Sequence, residues 1–267
     1  MKKVASDKDR FRVLREFRAL LSLTTTLPSG VFSLEEAARG FYMINIIGLL
    51  EGVMITLILY MLKTYVPDLL LSSLYVMFHI MLTGGIHLDG FADYSDVIGS
   101  RARGLKAIEI LKDPRKGSFA IIMLGINMFL SQSSMYIILS SDFFLIIYPE
   151  LIFLYVLSAE SMYIVSLLGR EEPYQGLGRL FLSYSKEKIN IFKNLLLMFI
   201  ITLSMIFMSA HKMLVLISII LSVLISYIIY IDADRRLGFV NGDVLGFSYE
   251  TVRILNLVLI SVLCRYI

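Results

Sequence analysis

The chain is 267 residues long, 57% hydrophobic and 18% charged, with a mean hydropathy of +0.77, a composition that excludes an ordinary soluble domain. Its net charge of +3 comes from cations set between apolar runs rather than gathered on one face, which excludes a nucleic-acid binder. The single cysteine, Cys264, excludes an internal disulfide and a cysteine-built metal site.

From Met1 to Leu27 the cations Lys2, Lys3, Lys8, Arg10, Arg12, Arg15 and Arg18 alternate with Phe11, Leu14, Phe17 and Leu21 at helical spacing. This predicts a helix that either lies on an anionic lipid surface or packs on the membrane domain. Charge continuing to Arg18, with no small-residue cleavage site after an early apolar core, argues against a signal peptide. A helix needs roughly 20 apolar residues to cross the hydrocarbon. Seven segments approach that length, at 42–62, 68–86, 118–140, 143–168, 192–210, 213–231 and 246–264. The third and sixth contain uncharged stretches, Ser118 to Ser141 and Met213 to Ile231. In the last, Glu250 and Arg253 stand at i,i+3, where they can pair on one helix face. No linker or internal repeat divides the chain. The prediction is an all-α polytopic bundle of about seven spans, one integral-membrane domain over 1–267, with an N-terminal interfacial helix.

Of the 25 lysines and arginines, 21 fall in residues 1–41, 87–117, 169–193 and 232–247, whereas the alternate loops hold only Lys63, Lys212 and Arg265. Basic loops stay on the cytoplasmic side. The expected topology is a cell-membrane protein with its N-terminus inside and its C-terminus outside.

The first polar constellation is GGIHLDGFADYSDVIGSRARGLKAIEILKDPRKG, Gly84 to Gly117. Asp89, Asp93 and Asp96 stand at i, i+4 and i+7, which on a helix aligns three carboxylates along one stripe. Three like charges repel unless a cation relieves them, and hard oxygen donors suit magnesium or manganese completed by substrate phosphates. The plain alternative is the solvated acidic face of a loop helix. Gly84, Gly85 and Gly90 leave room for a diphosphate. His87 is a candidate base, a donor to phosphate, a ligand or a structural cap. His79 and His211 are read as bystanders.

The second constellation, Lys112-Asp113-Pro114-Arg115-Lys116-Gly117, is either the positive-inside anchor of the next span or a cationic clamp for a diphosphate leaving group. The third runs from Arg235 through Asn241-Gly242-Asp243-Val244-Leu245-Gly246 to Glu250. Its glycines at four-residue spacing suit close helix packing. Asp243 falls on the same side as the aspartate stripe by the loop count and is a further candidate ligand or base.

In that order and between apolar spans, HLDGFADYSD, EILKDPRKG and RRLGFVNGDVLGFSYE closely resemble the motifs of the cobalamin synthase family, the adenosylcobinamide-GDP ribazoletransferases. The LTTTLPSG stretch and Glu172 to Phe181 are similar to two further segments of that family. The resemblance implies the nucleotide-loop assembly step, in which α-ribazole or its 5′-phosphate attacks the GDP-activated arm of adenosylcobinamide and GMP leaves, with Mg2+ as cofactor. By position it implies a site of His87, Asp89, Asp93 and Asp96, of Lys112, Asp113, Arg115 and Gly117, and of Gly242, Asp243, Gly246 and Glu250. In the mechanism it suggests, Asp89, Asp93 and Asp96 hold the metal and Lys112 and Arg115 neutralise departing GMP. Asp93 or Asp243 takes the proton of the attacking ribose hydroxyl. Three positions depart from the family's pattern. Val97 replaces a glycine, Asn241 replaces a threonine, and Glu160 lies near a common arginine. The alternative readings are a CDP-alcohol phosphotransferase, whose metal motif the aspartates echo without its glycine after Asp96, an aspartate-rich prenyltransferase, and a non-catalytic corrinoid transporter or scaffold. The expected partners are the two substrates and the lipid bilayer; a homo-oligomer is left open.

Overall fold

The computed structural model describes residues 7–30, 33–142, 144–173 and 176–264. Lys2, Lys3 and Arg265 of the charge pattern, and Tyr174 and Gln175 of the Glu172 to Phe181 segment, lie outside the described residues. Among those described the chain is helical, and its one β contact is an isolated parallel bridge between Glu171 and Val240.

Helix α1 (Asp7–Thr24) is the predicted N-terminal helix. It packs on α2 (Leu34–Arg39) through buried Ala19 and Leu20, while Phe11 and Leu14 point outward. The helix therefore packs on the bundle, as one of the two readings expects, and leaves Phe11 and Leu14 exposed. Ser33 caps α2, its hydroxyl accepting from the Glu36 N–H, and a 3-10 turn over Gly40–Met43 leads into α3 (Ile44–Leu62).

The remaining long helices are α4 (Asp68–Thr83), α7 (Ser118–Leu139), α8 (Tyr148–Leu168), α10 (Lys188–Met208), α11 (Lys212–Arg236) and α12 (Gly242–Leu263). Among the described residues six helices are long and apolar enough to cross a membrane. The exception is α4, whose 16 residues rise only ~24 Å at 1.5 Å each, short of a hydrocarbon core of about 30 Å. It reaches the required length only together with α5 (Ile86–Ser100), to which it is joined at a 97° bend. The predicted second span therefore stops at Thr83, because Gly84 and Gly85 both take left-handed backbone, with φ of 63° and 73°, a conformation that carries no steric cost only for glycine. Two short helices of the polar segments, α6 (Leu105–Leu111) and α9 (Leu177–Ser185), complete the chain.

At the centre stands α8, packed on α3, α11 and α12. Exposed Phe192, Leu195, Phe199 and Leu203 line one side of α10, an apolar surface that suits lipid. Several polar groups inside the bundle pair across helices, which a low-dielectric interior favours. The Glu160 carboxylate of α8 accepts from the side-chain amides of Asn194 at 3.1 Å and Asn45 at 3.4 Å. Its departure from the family's pattern is thus used in joining three helices. Val97 is fully buried in the core.

A buried polar cluster lies between α4, α7 and α12. Glu250 and Arg253 form the predicted i,i+3 pair at 2.7 Å. His79, read from the sequence as a bystander, meets the other Glu250 oxygen at 2.8 Å. Arg253 also donates to Tyr75, Asn127 and Ser131. The arrangement leaves the charged groups compensated inside the bundle.

Candidate active site

The bend after α4 turns α5 across the end of the bundle, where it packs against the start of α12 and against α7. Gly90 and Gly246 permit the α5–α12 contact. A Cβ at Gly246 would stand 2.9 Å from the His87 carbonyl oxygen, and one at Gly90 would stand 2.9 Å from Asp243 Cα. The crossing therefore brings Asp243, on the first turn of α12, beside the α5 aspartates, although they are separated by about half the chain.

The three aspartates share a helix as predicted but have different partners. Lys116 Nζ donates to Asp89 Oδ1 at 2.6 Å and to Asp93 Oδ1 at 2.5 Å. Asp89 keeps 65% of its side chain exposed and Asp93 18%. Asp96 is turned away, with Oδ2 accepting the Gly117 N–H at 2.6 Å and Oδ1 the Ala120 N–H at 2.8 Å. Both oxygens thus serve otherwise unpaired amides at the start of α7, where a negative charge is also favoured by the helix dipole. Gly117 is tied to that contact, since a Cβ there would meet Asp96 Oδ1 at 2.6 Å. Among the described residues no three Asp, Glu, His or Cys side chains are close enough to form a ready metal cluster.

Asn241 caps α12. Its Oδ1 accepts the Val244 N–H at 3.2 Å and its amide donates to Asp243 Oδ2 at 2.8 Å. Asparagine is as able a cap as the threonine it replaces, and here it also orients the Asp243 carboxylate. Beside these groups lies a cavity of about 180 Å³, lined in part by His87, Asp89, Gly242, Asp243, Phe41 and Phe181. His87 is buried and stacked on Tyr249, with ring centroids 4.1 Å apart. A small-molecule pocket usually runs from roughly 300 Å³ upward, so this cavity would hold part of a large substrate and leave the rest across the open rim.

Of the predicted clamp, Arg115 is 87% exposed and grips Asp113 through two nitrogens, at 2.8 and 3.0 Å. These bonds, side chain first and backbone second, hold the Asp113 carboxyl down to about 2. Lys112 ends α6, its N–H donating to the Ile108 carbonyl. The cation that reaches the aspartates is Lys116, which the motif match passes over. Partial burial lowers its pKa, but the bonds to Asp89 and Asp93 outweigh this and raise it above the ordinary lysine value. In the sequence it is one of three cations in the Lys112–Gly117 run, and nothing local separates it from Lys112 and Arg115. Glu250 is not brought to the rim; it is fully buried in the His79–Arg253 cluster.

Residues 16–261 match the model of a protein family described as cobalamin-5-phosphate synthase. The adenosylcobinamide-GDP ribazoletransferase of Clostridium kluyveri (strain ATCC 8527) is 30% identical over 256 residues, covering 94% of this chain and 98% of its own length. Proteins of the same name from Clostridium botulinum (strain Okra) and Clostridium tetani are 26% and 25% identical, over 89% and 96% of this chain and 94% and 97% of their own. No solved structure matches.

Proposed function

The chain belongs to the cobalamin-5-phosphate synthase family, and from that premise we propose that it transfers the adenosylcobinamide phosphate group of adenosylcobinamide-GDP to α-ribazole or its 5′-phosphate. It is a transferase of cobalamin biosynthesis. In the reaction a ribose hydroxyl oxygen bonds to the phosphorus that bears the cobinamide arm. The bond from that phosphorus to GMP breaks, and GMP carries away the electron pair.

The observation that supports this chemistry here is the meeting of Asp89 and Asp93 with Asp243 at the Gly90–Gly246 crossing, beside a cavity and the Lys112–Lys116 turn. Asp89 and Asp93 offer hard oxygen donors that fit a divalent cation, and Asp243 faces the same rim. Asp96 is satisfied by backbone amides, so we narrow the metal set to the first two, with Asp243 as a third donor or as the base. Magnesium bound there would neutralise diphosphate charge. The chain's own part is positional and electrostatic. Asp243, aimed by Asn241, takes the hydroxyl proton. Gly242, with open space on its Cβ side, lets a phosphate approach the backbone, and His87 closes the cavity wall. Arg115, released from Asp113, and Lys112 stabilise departing GMP. Glu250 supports α12 from within. The excess of basic residues in this set of loops supports a cytoplasmic rim in a multi-pass cell-membrane protein.

The test is GMP release from adenosylcobinamide-GDP plus α-ribazole by the detergent-solubilised protein, with magnesium varied and chelator controls. Turnover is expected to need the metal and to vanish in Asp93→Asn, which should still extract and melt normally. Full turnover in that variant, or in chelator, refutes the assignment.

A further inference from the structure

The cation now bonded to both rim aspartates is a side chain of the protein itself. Lys116 comes from the turn between α6 and α7 and brings its ammonium within 2.6 Å of Asp89 and 2.5 Å of Asp93. It takes the place between two oxygen donors that a divalent ion bridging them would need, and magnesium bonds its oxygens at about 2.0–2.1 Å. Ion and ammonium cannot both sit there. The lysine is also able to leave. Its side chain is 35% exposed, its stem is flexible, and it follows Arg115 in the turn that carries the proposed leaving-group cations.

We propose that Lys116 is a resident counter-cation, which holds Asp89 and Asp93 together in the metal-free protein and is displaced by the divalent ion. This rests on the proposed metal site. On displacement the ammonium joins Lys112 and Arg115 at the edge where the diphosphate lies. Lys116 thereby lowers metal affinity while supplying positive charge to the departing nucleotide. A residue that merely braced the fold would not oppose metal binding.

Mn2+ binding to the detergent-solubilised full chain, followed by electron paramagnetic resonance without substrate, tests this. Lys116→Met and Lys116→Gln keep a stem of similar length without the charge. Each should bind Mn2+ about fivefold more tightly, the scale expected for a part-exposed ion pair, whereas Lys116→Arg should stay near the parent. Turnover at saturating metal should fall in the two neutral variants. Metal-free, those variants should melt below the parent, and added metal should close the gap. Unchanged or weaker Mn2+ binding in both neutral variants overturns the displacement, even if the parent binds the ion normally. Absence of Mn2+ binding in the parent and every variant overturns the metal site as well. If one neutral variant fails to fold, the other and Lys116→Arg carry the comparison.

Discussion

Gly90 of α5 lies against the backbone of Asp243 of α12, so close that a Cβ at residue 90 would stand 2.9 Å from Asp243 Cα. Two backbones can come this near only where one side chain is missing. The contact holds the α5 carboxylates and the start of α12 at one rim, though they belong to distant parts of the chain.

Gly90→Ala is therefore expected to push α12 from α5, at a cost of about 1–3 kcal/mol in stability, as for other overpacked contacts. Turnover should fall at least about tenfold, since small displacements of catalytic groups are costly. The melting temperature in detergent and GMP release at saturating substrate check the two effects; near-parental values for both would mean that the crossing is looser than described.

Asp96→Ala removes an anionic acceptor from the Gly117 and Ala120 amides. Hydrogen bonds to charged groups contribute about 1.5–3 kcal/mol, and the variant should lose stability on that order. Its Mn2+ affinity should stay close to the parent's, while that of Asp93→Asn collapses. Equal loss of metal binding in the two would restore Asp96 to the metal set.

Glu250→Ala leaves Arg253 and His79 buried without their carboxylate. Removing one partner of a buried pair costs about 3–5 kcal/mol, so little folded protein should be recovered. The double change Glu250→Gln with Arg253→Met should regain much of it, because no unpaired charge remains. Normal melting of Glu250→Ala, with a raised KM alone, would instead make Glu250 a direct substrate contact.

Gly84→Ala and Gly85→Ala each place a Cβ on left-handed backbone, at about 1–2 kcal/mol per residue. The double variant should straighten or destabilise the bend between α4 and α5. Protease susceptibility of the 84–117 segment and loss of turnover would report it; a double variant that matches the parent in both would show that the bend does not depend on these glycines.

The spans were legible in sequence because lipid demands long uncharged helices, and each predicted apolar segment overlaps one of the long helices. The ends were less so. Helix α11 continues through Asp232 and Asp234 to Arg236, where Asp232 holds Arg236 and accepts from Tyr94; hydropathy does not register such partners. The i,i+3 pairing of Glu250 and Arg253 was readable because it is local. The place of His79 in the same cluster was not, since its partner is 171 residues away in sequence.

The order of residues was enough to establish a helical membrane protein, its family and the three polar segments that bear the family's motifs, because hydropathy and motif spacing are properties of neighbours along the chain. Which carboxylates share a cation was decided only by tertiary structure. Asp89, Asp93 and Asp96 are equivalent on a helical wheel, yet the amides at the start of α7 capture Asp96 and the Lys116 ammonium captures the other two. Those partners arrive through the Gly84–Gly85 bend and the packing of α5 on α7 and α12, and no local pattern encodes where an amide from another helix will point.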